Sequence, residues 1–201
     1  MPTYKNLIDA HRNEVEIKKS LFVGITFPIT SVTAFTNNLS RYADPQATHN
    51  CWAYRFDNEY RFSDDGEPSG TAGQPMLTAI DGAQFNAIGA LVIRYYGGIK
   101  LGTGGLARAY GGTIAKNLQA AKFQWHTPKT ILLIQVPFAY TQSVYLHTES
   151  VQGNVLNEEF NTQGAKMKIE IPINELTAFK DTLNNHSKGE INYLTVTNKP
   201  S

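Results

Sequence analysis

Residues 89–112 read GALVIRYYGGIKLGTGGLARAYGG, and they give the strongest indication of the fold of the first part of the chain. Its first eight residues are largely apolar, which is typical of a strand buried on both faces. The glycine-rich segment that follows turns the chain into a helix predicted near 104–121. The apolar stripe of that helix has four members at helical spacing: Leu106, Tyr110, Ile114 and Leu118.

The residues before this stretch add two strands and a helix. Alternation of apolar and charged residues at 15–17, followed by LFVGITF at 21–27, indicates two early strands. Apolar residues at helical spacing over 32–42 predict an amphipathic helix with Thr30 or Ser31 as its cap.

A further strand and a polar loop lie between that helix and the opening stretch. CWAYRF at 51–56 is typical of a strand, whereas FSDDGEPSGTAGQP at 62–75 has the Gly, Pro, Ser and Asp content of a loop. Pro75 suits the first turn of a helix, which we predict at 76–84.

From residue 129 the patterns alternate in the order β-α-β-β-α-β, which is the order of a ferredoxin-like sandwich. The segment FQWHTP at 123–128 is the predicted joint. We therefore predict an α+β protein of two-layer α/β units, with one domain at 1–125 and a ferredoxin-like domain at 126–201.

The composition limits the functional classes. The net charge is +1 and the sequence pI is about 7.8, so the charge of the chain does not by itself indicate a nucleic-acid-binding protein. Cys51 is the one cysteine, which excludes an intrachain disulfide and a thiolate metal cluster. The N-terminal residues lack an apolar core, and no later run reaches the roughly 20 apolar residues of a spanning helix. We expect a cytoplasmic protein with no membrane anchor.

Seven of the sixteen glycines fall between residues 97 and 112, at a strand end just before a helix. Glycines in this position let backbone N–H groups approach an anion, and the positive end of the helix strengthens the attraction. Three cations accompany them, although the Gly-Lys-Ser/Thr ending of a P-loop is missing. The predicted RNA- or phosphate-binding residues are Arg94, Gly97, Gly98, Lys100, Gly102, Gly104, Gly105 and Arg108. The alternative is that the glycines serve a tight turn and close helix packing, with the arginines bonded internally.

The loop at 63–75 supplies the second group of polar residues. Asp64, Asp65 and Glu67 could bind Mg²⁺, hold a water or pair with the arginines, or the aspartates could simply cap backbone donors in a turn. His49 could titrate or contact phosphate, or be a hydrogen-bonded structural residue. The supporting residues of the predicted site are His49, Asp64, Asp65, Glu67, Ser69 and Thr71. No metal site and no cofactor is assigned.

Three blocks of the sequence resemble one known family. They are ATHNCWAYRF at 47–56, SDDGEPSGTAGQP at 63–75 and VIRYYGGIKLGTGGLARAYGG at 92–112. Together they are similar to the signature blocks of the Impact family, also called YigZ or uncharacterised protein family 29, in its bacterial two-domain form. Gln74 stands where a basic residue is frequent in that family, which weakens the expected contact with an anion.

The resemblance implies a fold and a role. The first domain is expected to be similar to domain four of elongation factor G, within a superfamily of ribosomal-protein-like domains, and the second to domain five. The implied function is translation-linked regulation through binding of RNA, the ribosome or a phosphate-bearing ligand. Two alternatives stay open: an enzyme acting on a phosphorylated small molecule or nucleic acid, and a protein-docking module. The oligomeric state is left open.

Overall fold

The computed structural model describes residues 3–198 and divides them between two compact units. Tyr4–His126 form one unit, and Thr3 together with residues 127–198 belongs to the other. Both units combine helices with antiparallel sheets, which confirms the predicted α+β class.

The first unit is built on a five-stranded antiparallel sheet. The unit has seven strands in all: β1 (Tyr4–Leu7), β2 (His11–Ile17), β3 (Ser20–Pro28), β4 (His49–Phe56), β5 (Glu59–Ser63), β6 (Ile88–Tyr95) and β7 (Phe123–His126). The large sheet has the order β2-β3-β6-β4-β5, and β1 pairs with β7 in a separate two-stranded sheet. Strand β6, which begins the glycine-rich segment 89–112, therefore lies at the centre of the large sheet.

Helices cover both faces of this sheet. They are α1 (Val32–Tyr42), α2 (Gly73–Gly82) and α3 (Thr103–Ala120). Along β6, Ala90 and Val92 join the core formed with α2 and α3, whereas Leu91 and Ile93 join the core formed with α1. Burial on both faces explains why the β6 sequence is a continuous apolar run.

Polar side chains set the starts of two helices. The Ser31 hydroxyl accepts the Ala34 N–H at 3.0 Å, which confirms the predicted cap of α1. Helix α2 begins at Gly73 rather than at the predicted residue 76. The residue responsible lies in the preceding loop. The Asp64 carboxylate accepts the Gly73 N–H at 2.9 Å and so satisfies a backbone donor at the helix start.

Strands β1, β5 and β7 were not predicted from the sequence. Strand β7 lies within the segment that we predicted to join the two domains. Strand β7 pairs antiparallel with β1, with Tyr4 opposite His126, so Phe123–His126 belong to the first unit and the units divide after His126, inside the predicted segment 123–128. The Lys5 ammonium reinforces this pairing because it lies 4.7 Å from the ring centre of Phe123 and 5.3 Å from that of Trp125.

The second unit has the predicted order β-α-β-β-α-β. Its elements are β8 (Lys129–Val136), α4 (Thr141–Ser150), β9 (Asn154–Asn161), β10 (Gly164–Pro172), α5 (Leu176–Ser187) and β11 (Asn192–Asn198). The sheet order is β11-β8-β10-β9 and every pairing is antiparallel, as in a ferredoxin-like sandwich. Alternate residues of β8 and β10, such as Ile134 and Met167, form its core with Phe179 and Leu183 of α5.

Between residues 3 and 198, none of the helices combines the length and the apolar content that a bilayer crossing requires.

Candidate functional site

A cavity of about 460 Å³ opens where β6 ends and α3 begins. Its wall combines residues from β4, from the 63–75 loop, from the turn after β6 and from the first turn of α3. Five residues singled out from the sequence lie on this wall: His49, Glu67, Arg94, Lys100 and Gly102. The fold therefore brings both polar segments of the sequence to one place.

A buried ion pair forms the base of the cavity. Arg94 Nη1 lies 2.5 Å from Glu67 Oε1, and the two side chains are 6% and 4% exposed. The Tyr110 hydroxyl donates to the same Glu67 oxygen at 2.7 Å. The rings of Phe22 and Tyr96 lie 5.4 and 5.3 Å from the Arg94 guanidinium carbon. Arg94 is thus fixed in place by an internal partner, which is one of the two roles that the sequence left open for it.

The remaining donors of Arg94 are less well satisfied. Its Nη2 lies 3.5 Å from the Ser20 hydroxyl, which is a long hydrogen bond, and its Nε is buried with no hydrogen-bond partner among residues 3–198. A buried N–H without an acceptor costs about 1–3 kcal/mol. Arg94 lines the cavity, so its guanidinium places a positive charge in the cavity wall, although the Nε atom itself is enclosed by protein.

His49 lies directly opposite Arg94 on the neighbouring strand β4. Its Nδ1 is 2.7 Å from the carbonyl oxygen of Asp65. A carbonyl oxygen only accepts, so Nδ1 carries the hydrogen and Nε2 is left 3.8 Å from Glu67 Oε1. The neutral ring thus presents Nε2 as an acceptor beside the cavity, and the protonated ring would pair with Glu67.

Asp64 organises the 63–75 loop instead of facing the cavity. Its carboxylate accepts three backbone N–H groups at 2.7–3.0 Å, those of Gly70, Ala72 and Gly73. This is the turn-capping role, and it occupies the oxygens that a cation would need. Among residues 3–198, no group of three or more His, Cys, Asp or Glu side chains is placed to hold a metal ion.

The other supporting residues are also largely structural. Asp65 Oδ2 accepts the Asn50 N–H at 2.5 Å, and the buried Thr71 hydroxyl donates to the Pro68 carbonyl at 2.6 Å. Ser69 is exposed and does not contribute to the cavity wall. These bonds hold the loop in shape so that Glu67 reaches Arg94.

The predicted glycines divide into those required by packing and those that leave open space. An added Cβ at Gly97 would lie close to the Lys19 carbonyl, whereas at Gly104 the nearest atom would be Arg108 Nη1 at 3.7 Å. Gly98 and Gly102 have φ of +84° and +73°, which favours glycine, and nothing lies within 4 Å of an added Cβ at either residue. Gly105 is intermediate because its added Cβ would lie 3.0 Å from the Leu101 side chain.

Gly97→Ala is expected to destabilise the first unit by about 1–3 kcal/mol or more, because backbone must shift to accept the methyl group. Gly104→Ala is the matched control in the same segment, and in a helix it should be neutral or slightly stabilising. Urea denaturation of the two variants checks the difference. Equal stability of the two would contradict the close approach of Gly97 to Lys19.

The start of α3 offers backbone donors to the cavity. Gly102 precedes the helix without a side-chain cap, and the first turn carries no acidic residue. The Leu106 N–H bonds to the Gly102 carbonyl at 2.9 Å, so the N–H groups of 103–105 come before the first intrahelical bond. Lys100 is exposed at the same end of the cavity. Arg108 is exposed on α3 but lies outside the cavity wall.

Cys51 and Tyr110 remain uncharged beneath this site. Burial raises the pKa of the Cys51 thiol to about 12, and its Sγ donates to the Asp64 carbonyl at 3.0 Å. Burial also raises the pKa of Tyr110, which keeps its hydroxyl as a donor to Glu67. A neutral buried thiol is a packing residue rather than a nucleophile.

Tyr110, Tyr96 and Ser20 belong to the site but were not singled out as site residues. The ring of Tyr110 packs in the apolar stripe of α3 as predicted, while its hydroxyl reaches Glu67 across 43 sequence positions. The sequence signal that could have pointed to it is a tyrosine, with a polar end that needs a partner, in an otherwise aliphatic stripe.

The fold and the cavity define a class, namely an α+β protein whose first unit carries a cavity lined by a buried Arg–Glu pair and whose second unit is ferredoxin-like. Residues 18–118 match the Impact N-terminal domain. The chain is 36% identical over 188 residues to an IMPACT family member of Haemophilus influenzae, with 89% of each chain covered. It is 33% identical over 189 residues to the IMPACT family member YigZ of Escherichia coli, with 90% and 92% covered.

A crystal structure described as that of a hypothetical protein has a TM-score of 0.62 and 31% identity, and the match covers 97% of this chain and 98% of that one. The chain therefore belongs to the IMPACT family, which confirms the resemblance inferred from the three sequence blocks.

Proposed function

We propose that this protein binds RNA, free or in the ribosome, by holding a phosphate group in the cavity between β6 and α3. The observation that carries the proposal is the convergence of three kinds of donor on one cavity. They are the Lys100 ammonium, the backbone N–H groups at the start of α3 and the guanidinium of Arg94.

Each of these donors suits an anion for a physical reason. The α3 amides point their hydrogens out of the helix start, where the helix dipole also favours negative charge. Lys100 adds a full positive charge in an exposed position, and Arg94 offers a rigidly held N–H because Glu67 fixes its guanidinium. Glu67 compensates much of the Arg94 charge, so Lys100 and the helix start carry most of the attraction.

This arrangement fits a chain with a net charge of only +1. Binding would depend on a local cluster of donors rather than on a broad basic surface, and few phosphates would be contacted. The affinity should therefore be moderate and should weaken as salt rises, with a slope of log K against log salt of about −0.7 for each phosphate contacted on a single strand. In the cytoplasm the protein would meet RNA and ribosomes, so the proposed binding implies a translation-linked role.

The double variant Lys100→Ala/Arg108→Ala is expected to weaken binding to ribosomes and structured RNA by about tenfold and to reduce the salt slope by about 1, because phosphate contacts are lost. Most of the loss should come from Lys100, since Arg108 lies outside the cavity wall. The measurement is a binding titration across a salt series.

Lys116→Ala/Lys122→Ala is the matched control, because it removes the same charge from exposed residues away from the cavity. Equal losses in the two double variants would indicate a nonspecific charge effect. Unchanged affinity of the folded Lys100/Arg108 variant would count against the proposal.

A second candidate function is catalysis on a phosphorylated small molecule or nucleic acid. The observation that favours it is the orientation of His49, whose Nδ1 is bonded to a carbonyl while Nε2 lies beside Glu67 and the cavity. An imidazole fixed in this tautomer is able to accept a proton at Nε2. The salt series separates the two candidates, because a small substrate in the cavity would bind with a shallower salt dependence than RNA.

A further inference from the structure

We propose that the cavity takes a single unstacked nucleotide of a single-stranded RNA, with its phosphate at the start of α3 and its base against the ring of Tyr96. This inference rests on the proposed function and narrows its ligand from RNA in general to unpaired RNA. Three properties of the cavity support it: its size, the cationic groups in its wall and the exposed aromatic residue that lines it.

The size of the cavity suits one nucleotide. Its volume of about 460 Å³ lies in the range of about 300–1,000 Å³ that is typical of pockets for one small organic molecule. A base within a duplex is stacked and paired, and so it does not enter a pocket of this size without leaving the helix. Unpaired nucleotides of loops and ends have their bases free to turn into a protein pocket.

The positive groups of the wall indicate where the phosphate lies. Arg94 is 5% exposed, lines the cavity and is held in place by Glu67. A phosphate placed between Arg94, Lys100 and the amides of 103–105 would lie beside the two cationic side chains. The same group would satisfy helix-start donors that no side chain caps.

Tyr96 supplies the surface for the base. Its ring is 44% exposed and lines the cavity, with the Arg94 guanidinium carbon 5.3 Å from the ring centre. Its backbone is fixed because its N–H donates to the Thr48 hydroxyl at 3.0 Å. A tyrosine held in this way provides a stacking surface for any base, since every base has a π face.

The apolar part of the wall is consistent with a planar ring rather than a bare ion. Pro68, Leu101 and Leu106 line the cavity together with Tyr96. Inorganic phosphate would leave this apolar surface in water, whereas a nucleotide base would cover it. The cavity thus joins a polar end for phosphate to an apolar end for a base.

The experiment compares a 5′-phosphorylated oligoadenylate with the same strand annealed to oligouridylate, using fluorescence anisotropy at low and at physiological salt. Wild-type protein is expected to bind the single strand about tenfold more tightly than the duplex. Tyr96→Leu should weaken single-strand binding by about tenfold because one stacking contact is lost, whereas Tyr96→Phe keeps the ring and should stay within about twofold of wild type.

The outcomes separate this inference from the proposed function. Equal binding of single strand and duplex by wild-type protein, or full binding by folded Tyr96→Leu, overturns the single-nucleotide inference. The proposed function survives in that case if the Lys100/Arg108 variant still loses affinity. Failure of both nucleic acids to bind at low salt overturns the single-nucleotide inference, and the proposed function falls with it if ribosomes and structured RNA also fail to bind. The comparison of strand with duplex uses wild-type protein, so it is decisive even if Tyr96→Leu does not fold.

Discussion

Glu67→Ala is expected to lower the free energy of unfolding of the first unit by about 3–5 kcal/mol, because it leaves a buried charge without its partner. Arg94 would keep its guanidinium in a site where the side chain is 6% exposed, and the Tyr110 hydroxyl would lose its acceptor. Urea denaturation followed by circular dichroism measures the loss. Glu67→Gln keeps an acceptor in place and should lose less.

Glu14→Ala is the control for this variant. Glu14 also pairs with an arginine, Arg12, but their side chains are 48% and 59% exposed. Exposed ion pairs contribute about 0–1 kcal/mol, so the control should unfold close to wild type. A loss below about 1 kcal/mol in Glu67→Ala would show that water reaches Arg94, and the description of the Arg94–Glu67 pair as a buried ion pair would then fail.

Asp64→Ala is expected to lower the free energy of unfolding of the first unit by about 3–5 kcal/mol. It should also loosen the 63–75 loop and the start of α2. The carboxylate accepts three backbone N–H groups, and a hydrogen bond to a charged group contributes about 1.5–3 kcal/mol, with incomplete additivity. Hydrogen exchange at the amides of Gly70, Ala72 and Gly73 measures the loosening directly, alongside urea denaturation.

Asp9→Ala removes the same charge from an exposed residue and should leave both measurements unchanged. Asp64→Asn keeps an oxygen acceptor and is expected to fall between the two. Unchanged exchange at the three loop amides in Asp64→Ala would contradict the role assigned to this carboxylate.

The sequence predicted the elements whose burial follows a simple pattern. Strand β6 is buried on both faces and α3 on one, so a continuous apolar run and a helical stripe sufficed. Strand β5 was missed because four of its five residues are exposed, which removes the alternation. Strands β1 and β7 are four residues long and depend on each other across more than 100 positions, a pairing that local pattern does not encode.

Part of the site could be predicted from residue chemistry, whereas the contacts that depend on the fold could not. Residue chemistry indicated that Arg94, Lys100 and His49 belong near the glycine-rich turn, and the fold places all three on one cavity. The sequence left open whether Asp64 binds a cation or caps backbone donors, because that depends on where the loop amides point. The partnership of Arg94 with Glu67 likewise spans 27 positions and follows only from the sheet register and the loop shape.

The pairing of β1 with β7 places Tyr4 opposite His126, so the two ends of the first unit are neighbours across a single pair of strands. A folded unit whose ends meet behaves as a cassette: it can be inserted into a host protein, or have its ends joined and be reopened elsewhere, without stretching its backbone. The contacts of the Lys5 ammonium with the rings of Phe123 and Trp125 hold these two ends together.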